Sequence, residues 1–314
     1  MSKELPLVSI VMAAYNRAST IERAVESVRK QTYPNIELII IDDGSVDNTI
    51  EKVQPYLSDN IRLYKHEINR GVTAAKNSGL NQVKGEWFTI LDSDDEIVPQ
   101  AIERMMRIPL YEDTTVTAVT CNCIDTSTNT FSGKGLNQDQ YLDVDTIMNT
   151  CKGEFWGITH CNLLQGERFN ERLRGFEATL WFKIDDRAKR YYCHEGLRIY
   201  HTEGDDRIMK STYNYPKEVQ LYQNLLLEKE FFSKLRRYRP EEYLYFCRSG
   251  LIVIRTTGRV DIARQYYQML PEANKGGINK LVLDRKWASQ LLLAIRRLKN
   301  SLKPIKSLFK GSAE

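Results

Sequence analysis

Long hydrophobic runs are missing from this sequence, and cysteine and histidine are sparse. The longest uninterrupted apolar stretches span only a few residues, far short of the roughly 20 that cross a bilayer. Residues 1–6 lead into no apolar segment of the signal-peptide kind, so no secretory leader is expected. The 6 cysteines (Cys121, Cys123, Cys151, Cys161, Cys193 and Cys247) are irregularly spaced in a chain of 314 residues. That pattern suits reduced thiols in a cytosolic protein rather than a disulfide framework. Cys121 and Cys123 with His160 and Cys161 match no common zinc spacing. No repeat of fixed period is present.

The net charge of +4 hides a division. From residue 285 to residue 310 every charged side chain is Lys or Arg, and the rest of the chain carries more acid than base. A body without a basic face excludes a nucleic-acid partner. The basic segment reads as an amphipathic helix. Trp287, Leu291, Ile295, Leu298 and Leu302 form one stripe, flanked by Arg296, Arg297, Lys299 and Lys303, and Pro304 interrupts it. Two readings compete. Such a helix can lie on an anionic membrane surface, or it can pack on neighbouring helices with its basic face solvated. The absence of acid favours lipid.

Periodicity divides the chain further. Up to residue 124, β-type runs alternate with helical patterns: residues 7–13, 37–42, 61–66, 87–92 and 115–124 against 19–31, 48–56, 72–83 and a helix after Pro99. Ser19 and Glu22 form a capping-box pattern at the first helix. This order predicts an α/β fold, a mostly parallel sheet with helices on both faces. Residues 131–212 are less regular, with an exposed loop near 133–138, short strands at 155–159 and 197–201, and a helix over 178–190. Helical patterns at 218–237, 241–254 and 260–269 follow. The expected division is 1–212, an α/β domain; 213–284, a helical region; and 285–314, the basic tail.

Two of the β-type runs end in carboxylates. Residues 39–45 read Ile-Ile-Ile-Asp-Asp-Gly-Ser, and residues 90–95 read Ile-Leu-Asp-Ser-Asp-Asp. In open α/β sheets ligands bind beyond the carboxyl ends of the strands. Side by side, two such ends suit a nucleotide and a metal-bound diphosphate. Asp43 can accept the imide N–H of a uracil, although the same four residues are also a turn signal. Asp92, Asp94 and Asp95 repel one another unless a cation joins them. Mg²⁺ or Mn²⁺ takes oxygen ligands, typically one or two carboxylates plus substrate phosphates. Asp94 is the expected metal ligand, and Asp92 serves the ion's water shell or the ribose.

Four segments together carry a resemblance: residues 8–16 (Val-Ser-Ile-Val-Met-Ala-Ala-Tyr-Asn), 41–47 (Ile-Asp-Asp-Gly-Ser-Val-Asp), 69–80 (Asn-Arg-Gly-Val-Thr-Ala-Ala-Lys-Asn-Ser-Gly-Leu) and 91–95 (Leu-Asp-Ser-Asp-Asp). In order and spacing they look like the signature segments of glycosyltransferase family 2. The resemblance covers residues 5–125 well and 150–212 loosely. It implies a GT-A (Rossmann-like) fold, a nucleotide-diphosphate-sugar donor, a divalent metal and inversion at the anomeric carbon. It also implies that Ala13 and Tyr15 line the uracil and ribose pocket, that Asp43 meets the uracil, and that Lys76 or Arg70 meets the diphosphate. Lys76 stands where the family usually has Arg, which loses bidentate geometry. The family's Glu-Asp pair matches Phe176-Glu177, so the implied catalytic base is Glu177, one methylene longer than usual; Asp185 and Asp186 are reserves, expected to face solvent. Trp156 and Trp181 are either acceptor platforms or core. His201 is either a metal contact or structural.

Taken together, these readings predict a Mn²⁺- or Mg²⁺-dependent inverting transferase. It would move a hexose or N-acetylhexosamine from a UDP-sugar to a saccharide or lipid-linked saccharide acceptor, at the cytoplasmic face of the cell membrane. A scaffold that only binds nucleotide-sugar is one alternative. A nucleotidyltransferase is another, but it needs a glycine-rich phosphate loop after the first strand, and residues 13–17 offer none.

Overall fold

The computed structural model describes residues 5–173, 176–202 and 215–301. The chain divides into two compact units, residues 1–211 and 212–314.

The first unit is built in the order β1 (Val8–Ala14), α1 (Ile21–Arg29), β2 (Ile36–Asp42), α2 (Thr49–Val53), β3 (Ile61–Lys65), α3 (Val72–Leu80), β4 (Trp87–Ile90), β5 (Glu96–Ile97), α4 (Ala101–Arg107), β6 (Ala118–Asp125), β7 (Thr130–Phe131), β8 (Gln140–Leu142), α5 (Val144–Asn149), β9 (Phe155–His160), α6 (Ala178–Asp185) and β10 (Arg190–Tyr200). The main path of the sheet runs β3-β2-β1-β4-β9-β6-β10-β5. Its first half is parallel throughout, β1 pairing with both β2 and β4, and β2 with β3. The second half is mixed. The run at 155–159 inserts as β9, antiparallel to both β4 and β6, while β10 runs parallel to β6.

Side-chain alternation along β1 creates the two layers. Val8, Ile10, Met12 and Ala14 join one apolar cluster with Ile21, Ala24 and Val25 of α1 and Met105 of α4. Val11 points the other way, into a cluster with Ala75 and Leu80 of α3 and Leu180 and Ile184 of α6. Helices therefore cover both faces of a sheet whose inner strands are apolar on both sides, as parallel sheets require.

Some local readings need correction. The capping box does not form: Thr20 precedes α1 without a side-chain cap. Its hydroxyl donates instead to the Ser93 carbonyl at 3.0 Å, tying α1 to the acidic turn after β4. The loop near 133–138 is not exposed throughout, since Leu136 is buried in a small apolar cluster; short strands flank it, and Asp143 caps α5 through the Thr146 N–H.

In the second unit α7 (Tyr215–Leu225), α8 (Lys229–Tyr238), α9 (Pro240–Thr256), α10 (Val260–Met269), α11 (Gly277–Asp284) and α12 (Lys286–Ser301) follow one another. The single helix expected over 218–237 is broken between α7 and α8. Helix α9 is the hub, packing on the other five. It meets α10 at Gly250, where a β-carbon would lie 2.4 Å from the Tyr266 ring. No helix among the described residues is long and apolar enough to cross a membrane. The basic segment packs on neighbouring helices over part of its length. Helix α12 packs through Ala288, Ser289 and Leu293, while Trp287, Leu291 and Ile295 of the expected stripe stay exposed. Leu302, Lys303 and the rest of the tail lie outside the described residues.

Candidate active site

The C-terminal ends of β1, β2 and β4 lie side by side and carry the acidic motifs. Beyond β1, Tyr15 is 42% exposed, so it is available to a ligand rather than buried as core. Ala13 is half-buried beside it. Asn16, with φ 52°, receives the Val46 N–H on its side chain and donates its own N–H to Ser45, which binds the β1 turn to the β2 turn.

Asp43 is almost fully buried. Its carboxylate accepts the N–H groups of Arg70 at 2.9 Å and Gly71 at 2.7 Å, and it contacts His66 Nδ1 at 2.7 Å. Asp43 thus organises the loop that leads into α3, a role the sequence reading missed. Gly44 allows this approach: its φ is +75°, and a β-carbon there would sit 2.8 Å from the Ile68 carbonyl carbon. Arg70 extends from the same loop to Glu171 at 3.2 Å.

Of the three carboxylates after β4, Asp92 and Asp95 share Arg198, while Asp94 stands apart. Asp92 receives Lys76 Nζ at 3.2 Å and Arg198 Nη2 at 2.7 Å. Asp95, buried, accepts Arg198 Nε at 2.8 Å and the His201 N–H at 2.8 Å. Asp94 lies 3.8 Å from Arg17, with its side chain 32% exposed. Desolvation pushes the Asp92 carboxyl up, but Lys76 and Arg198 outweigh it and hold the group well below the usual carboxylate range.

Lys76, buried in α3, is bound on its other side by Glu177 Oε1 at 2.9 Å. Burial works against its charge, but Asp92 and Glu177 overcome that and keep it protonated. Glu177 stands at the start of α6, so one lysine links the carboxylate expected to be the base to the acidic turn. Residues 174 and 175, which precede it, lie outside the described residues. Asp185 does not face solvent as expected: it pairs with Arg190 at 2.7 Å, its side chain 10% exposed, while Asp186 is exposed. Trp156 is buried and donates its indole N–H to the Ile90 carbonyl. Trp181 is half-buried, stacked on Phe88 and edge-on to Phe169.

Arg198 and Asn77 were missed. Arg198 sits in β10 with the apolar Leu197 and Ile199 beside it. Several acids at one strand end need a cation, and a lone arginine in a β-type run was the signal for it. Asn77 makes a reciprocal pair of hydrogen bonds with the Phe169 backbone, fixing the segment before Glu177. Its signal was weaker, a polar residue beside Lys76 on a helix built mostly of small residues.

The residues fit a divalent cation in part. Asp94 offers a hard oxygen ligand with its strongest interaction 3.8 Å away, the donor type Mg²⁺ and Mn²⁺ prefer. The His201 ring is held by Glu96 at 2.8 Å. Among the described residues no three acid, histidine or cysteine side chains gather to hold an ion by themselves, so substrate oxygens would have to complete the set.

Carboxylates at the ends of β2 and β4, the strands on either side of β1, lie with a buried lysine and a third carboxylate at one edge of the sheet. Residues 9–172 match the model of glycosyl transferase family 2, and the chain belongs to that family; it is a glycosyltransferase with a GT-A-like fold. It is 32% identical, over 78% of its own length and 80% of the relative's, to the GalNAc(5)-diNAcBac-PP-undecaprenol beta-1,3-glucosyltransferase of Campylobacter jejuni. In fold it is similar to residues 1–349 of S. aureus TarS, crystallised with UDP-GlcNAc, at a TM-score of 0.64 and 17% identity, covering 85% of this chain and 82% of that one. A mannosyltransferase from Pyrobaculum calidifontis in complex with GDP-Man and Mn²⁺ is a more distant likeness, at a TM-score of 0.50 and 18% identity, over 96% of this chain and 83% of that one.

Proposed function

We propose that this glycosyltransferase moves a hexose or N-acetylhexosamine from a UDP-sugar, with inversion, onto a lipid-linked saccharide at the cytoplasmic face of the membrane. The observation that carries the reading is the chain Glu177–Lys76–Asp92, which couples the acceptor-side carboxylate to the donor-side acids. Tyr15 and Ala13 line the base and ribose pocket. Asp43, its carboxylate engaged by the Arg70 and Gly71 N–H groups and by His66, shapes the loop that presents Arg70 to the diphosphate. Glu177 removes the proton of the acceptor hydroxyl, whose oxygen attacks the anomeric carbon from the face opposite the departing UDP. Lys76 stays charged near the leaving group and stabilises its developing negative charge.

A divalent cation, when bound, would neutralise part of the diphosphate charge. Asp94 would hold it, and His201 would join only by giving up Glu96. The undecaprenol-linked acceptor named for the Campylobacter relative supports a lipid-linked acceptor here. The exposed Trp287, Leu291 and Ile295 on a helix rich in basic residues support membrane attachment. In this reading residues 1–212 carry catalysis, 213–284 form a helical support and 285–314 anchor.

The test is UDP release from a panel of UDP-sugars with Mn²⁺, beside EDTA and the variants Asp94→Ala and Glu177→Ala. Release from one donor, abolished by EDTA and by Asp94→Ala and nearly abolished by Glu177→Ala, supports the assignment. Full activity in Glu177→Ala would move the base elsewhere, and binding of UDP-sugar with no release in any condition would leave a binding protein.

A further inference from the structure

A cavity of about 290 Å³ opens beside Glu177, at the lower edge of the roughly 300–1,000 Å³ typical of ligand pockets. One side of it is the charged group already described: Lys76, Asp92, Glu177 and Arg198. The opposite character comes from Leu142, Ile147, Cys151 and Phe155, which belong to or border a small apolar cluster with Leu136 and Tyr192. Where the two meet, Glu154 lines the cavity.

Glu154 differs from the paired carboxylates of the site. Asp92, Asp95, Glu177 and Asp185 each have a cationic partner within hydrogen-bonding range. The Glu154 side chain has neither an ion pair nor a hydrogen bond among the described residues, yet it feels Arg198, Asp92, Glu177 and Lys76 electrostatically. Desolvation pushes its carboxyl above the ordinary value, against the pull of Arg198. Both oxygens are therefore open to a ligand, and a carboxylate with open lone pairs suits neighbouring sugar hydroxyls.

The apolar side restricts which sugar fits. A hydroxyl pressed against Leu142 and Ile147 would lose its hydrogen bonds to water with no replacement. A methyl group gains there. Thr120, also in the lining, accepts Arg190 Nη1 at 2.8 Å, and its own hydroxyl proton has no acceptor among the described residues. It can donate to an amide carbonyl.

We propose that this cavity is the acceptor subsite and that it selects an N-acetylhexosamine, with Glu154 accepting two acceptor hydroxyls, Thr120 meeting the acetamido carbonyl and the apolar side taking its methyl. The inference rests on the transferase reading above and adds the acceptor's chemistry to it. Glu154 binds and orients; Glu177 keeps the proton transfer.

The probes are octyl β-N-acetylglucosaminide and octyl β-glucoside, titrated calorimetrically into wild type and Glu154→Gln, each saturated with UDP. The subsite predicts at least tenfold tighter binding of the acetamido glycoside by wild type, and at least a tenfold loss in Glu154→Gln. In transfer assays the acceptor KM should rise by a similar factor while kcat and the donor KM stay within about twofold. A second variant, Ile147→Asn, should erase the preference between the two glycosides. Equal affinity for both glycosides in wild type, or unchanged affinity in Glu154→Gln, overturns the proposal, as does a donor KM that rises in place of the acceptor KM. UDP binding is measured first in the same experiment, so a failure of the donor reading is recognised separately.

Discussion

Lys76 Nζ lies 2.9 Å from Glu177 Oε1, although 101 residues separate the two in sequence. The same ammonium reaches Asp92 at 3.2 Å. A helix on one face of the sheet thus supplies the ion that joins the turn after β4 to the start of α6.

Replacing Lys76 with Met should strand both carboxylates. The stability cost is about 1–3 kcal/mol rather than the full value for a buried pair, because Asp92 and Glu177 keep 42% and 30% side-chain exposure. Transfer should fall by about 10² or more, since a misplacement near 1 Å at the reacting group is that costly. Urea denaturation and UDP release measure the two effects separately. Wild-type turnover in the variant would remove Lys76 from the mechanism.

Arg198 offers a cleaner buried case. Its side chain is 6% exposed and that of Asp95 is 2% exposed. Arg198→Met should destabilise the first unit by about 3–5 kcal/mol, because it leaves a buried carboxylate uncompensated. Adding Asp95→Asn should recover much of that loss. If the double variant is no more stable than the single one, the pair is not the reason Arg198 matters.

The buried thiols give a pH dependence whose sign can be worked out. Burial pushes Cys123 and Cys193 each up to about 12, while an unfolded cysteine titrates near pH 8.5. Above about pH 8.5 the unfolded chain gives up protons that the folded one keeps, so folding stability falls as pH rises toward about 12. The limiting slope is about 1.4 kcal/mol per pH unit for each thiol. Denaturation curves at about pH 8 and pH 10 should show a loss that shrinks in the Cys123→Ala/Cys193→Ala variant. An identical loss in both proteins would contradict the assignment.

Trp287 and Leu291 stay exposed while Ala288 and Leu293 of the same helix are buried. Trp287→Ser with Leu291→Ser should therefore leave the unfolding midpoint unchanged. Binding to vesicles containing anionic lipid should drop at least tenfold, since each large apolar side chain is worth about 1.5–3 kcal/mol when buried. Co-sedimentation checks this, and undiminished binding would exclude this stripe as the contact.

The sequence alone determined the alternation of strands and helices up to residue 124, the placement of both acidic motifs at strand ends, and the family. Those features are local: a period of two or of 3.6, a turn residue, a run of carboxylates. α9 and α10 were legible for the same reason. Only the tertiary structure decided what each carboxylate touches. Asp43 proved to be occupied by backbone N–H groups from a loop 27 and 28 residues away. Asp185 turned inward to Arg190, and β9 entered the sheet antiparallel between two strands distant in sequence. Glu154 carries no local signature at all, and Arg198 only that of a lone arginine in a β-type run. Their roles come from the charges and the cavity that chain segments far apart in sequence bring together, and no pattern within a few residues encodes that.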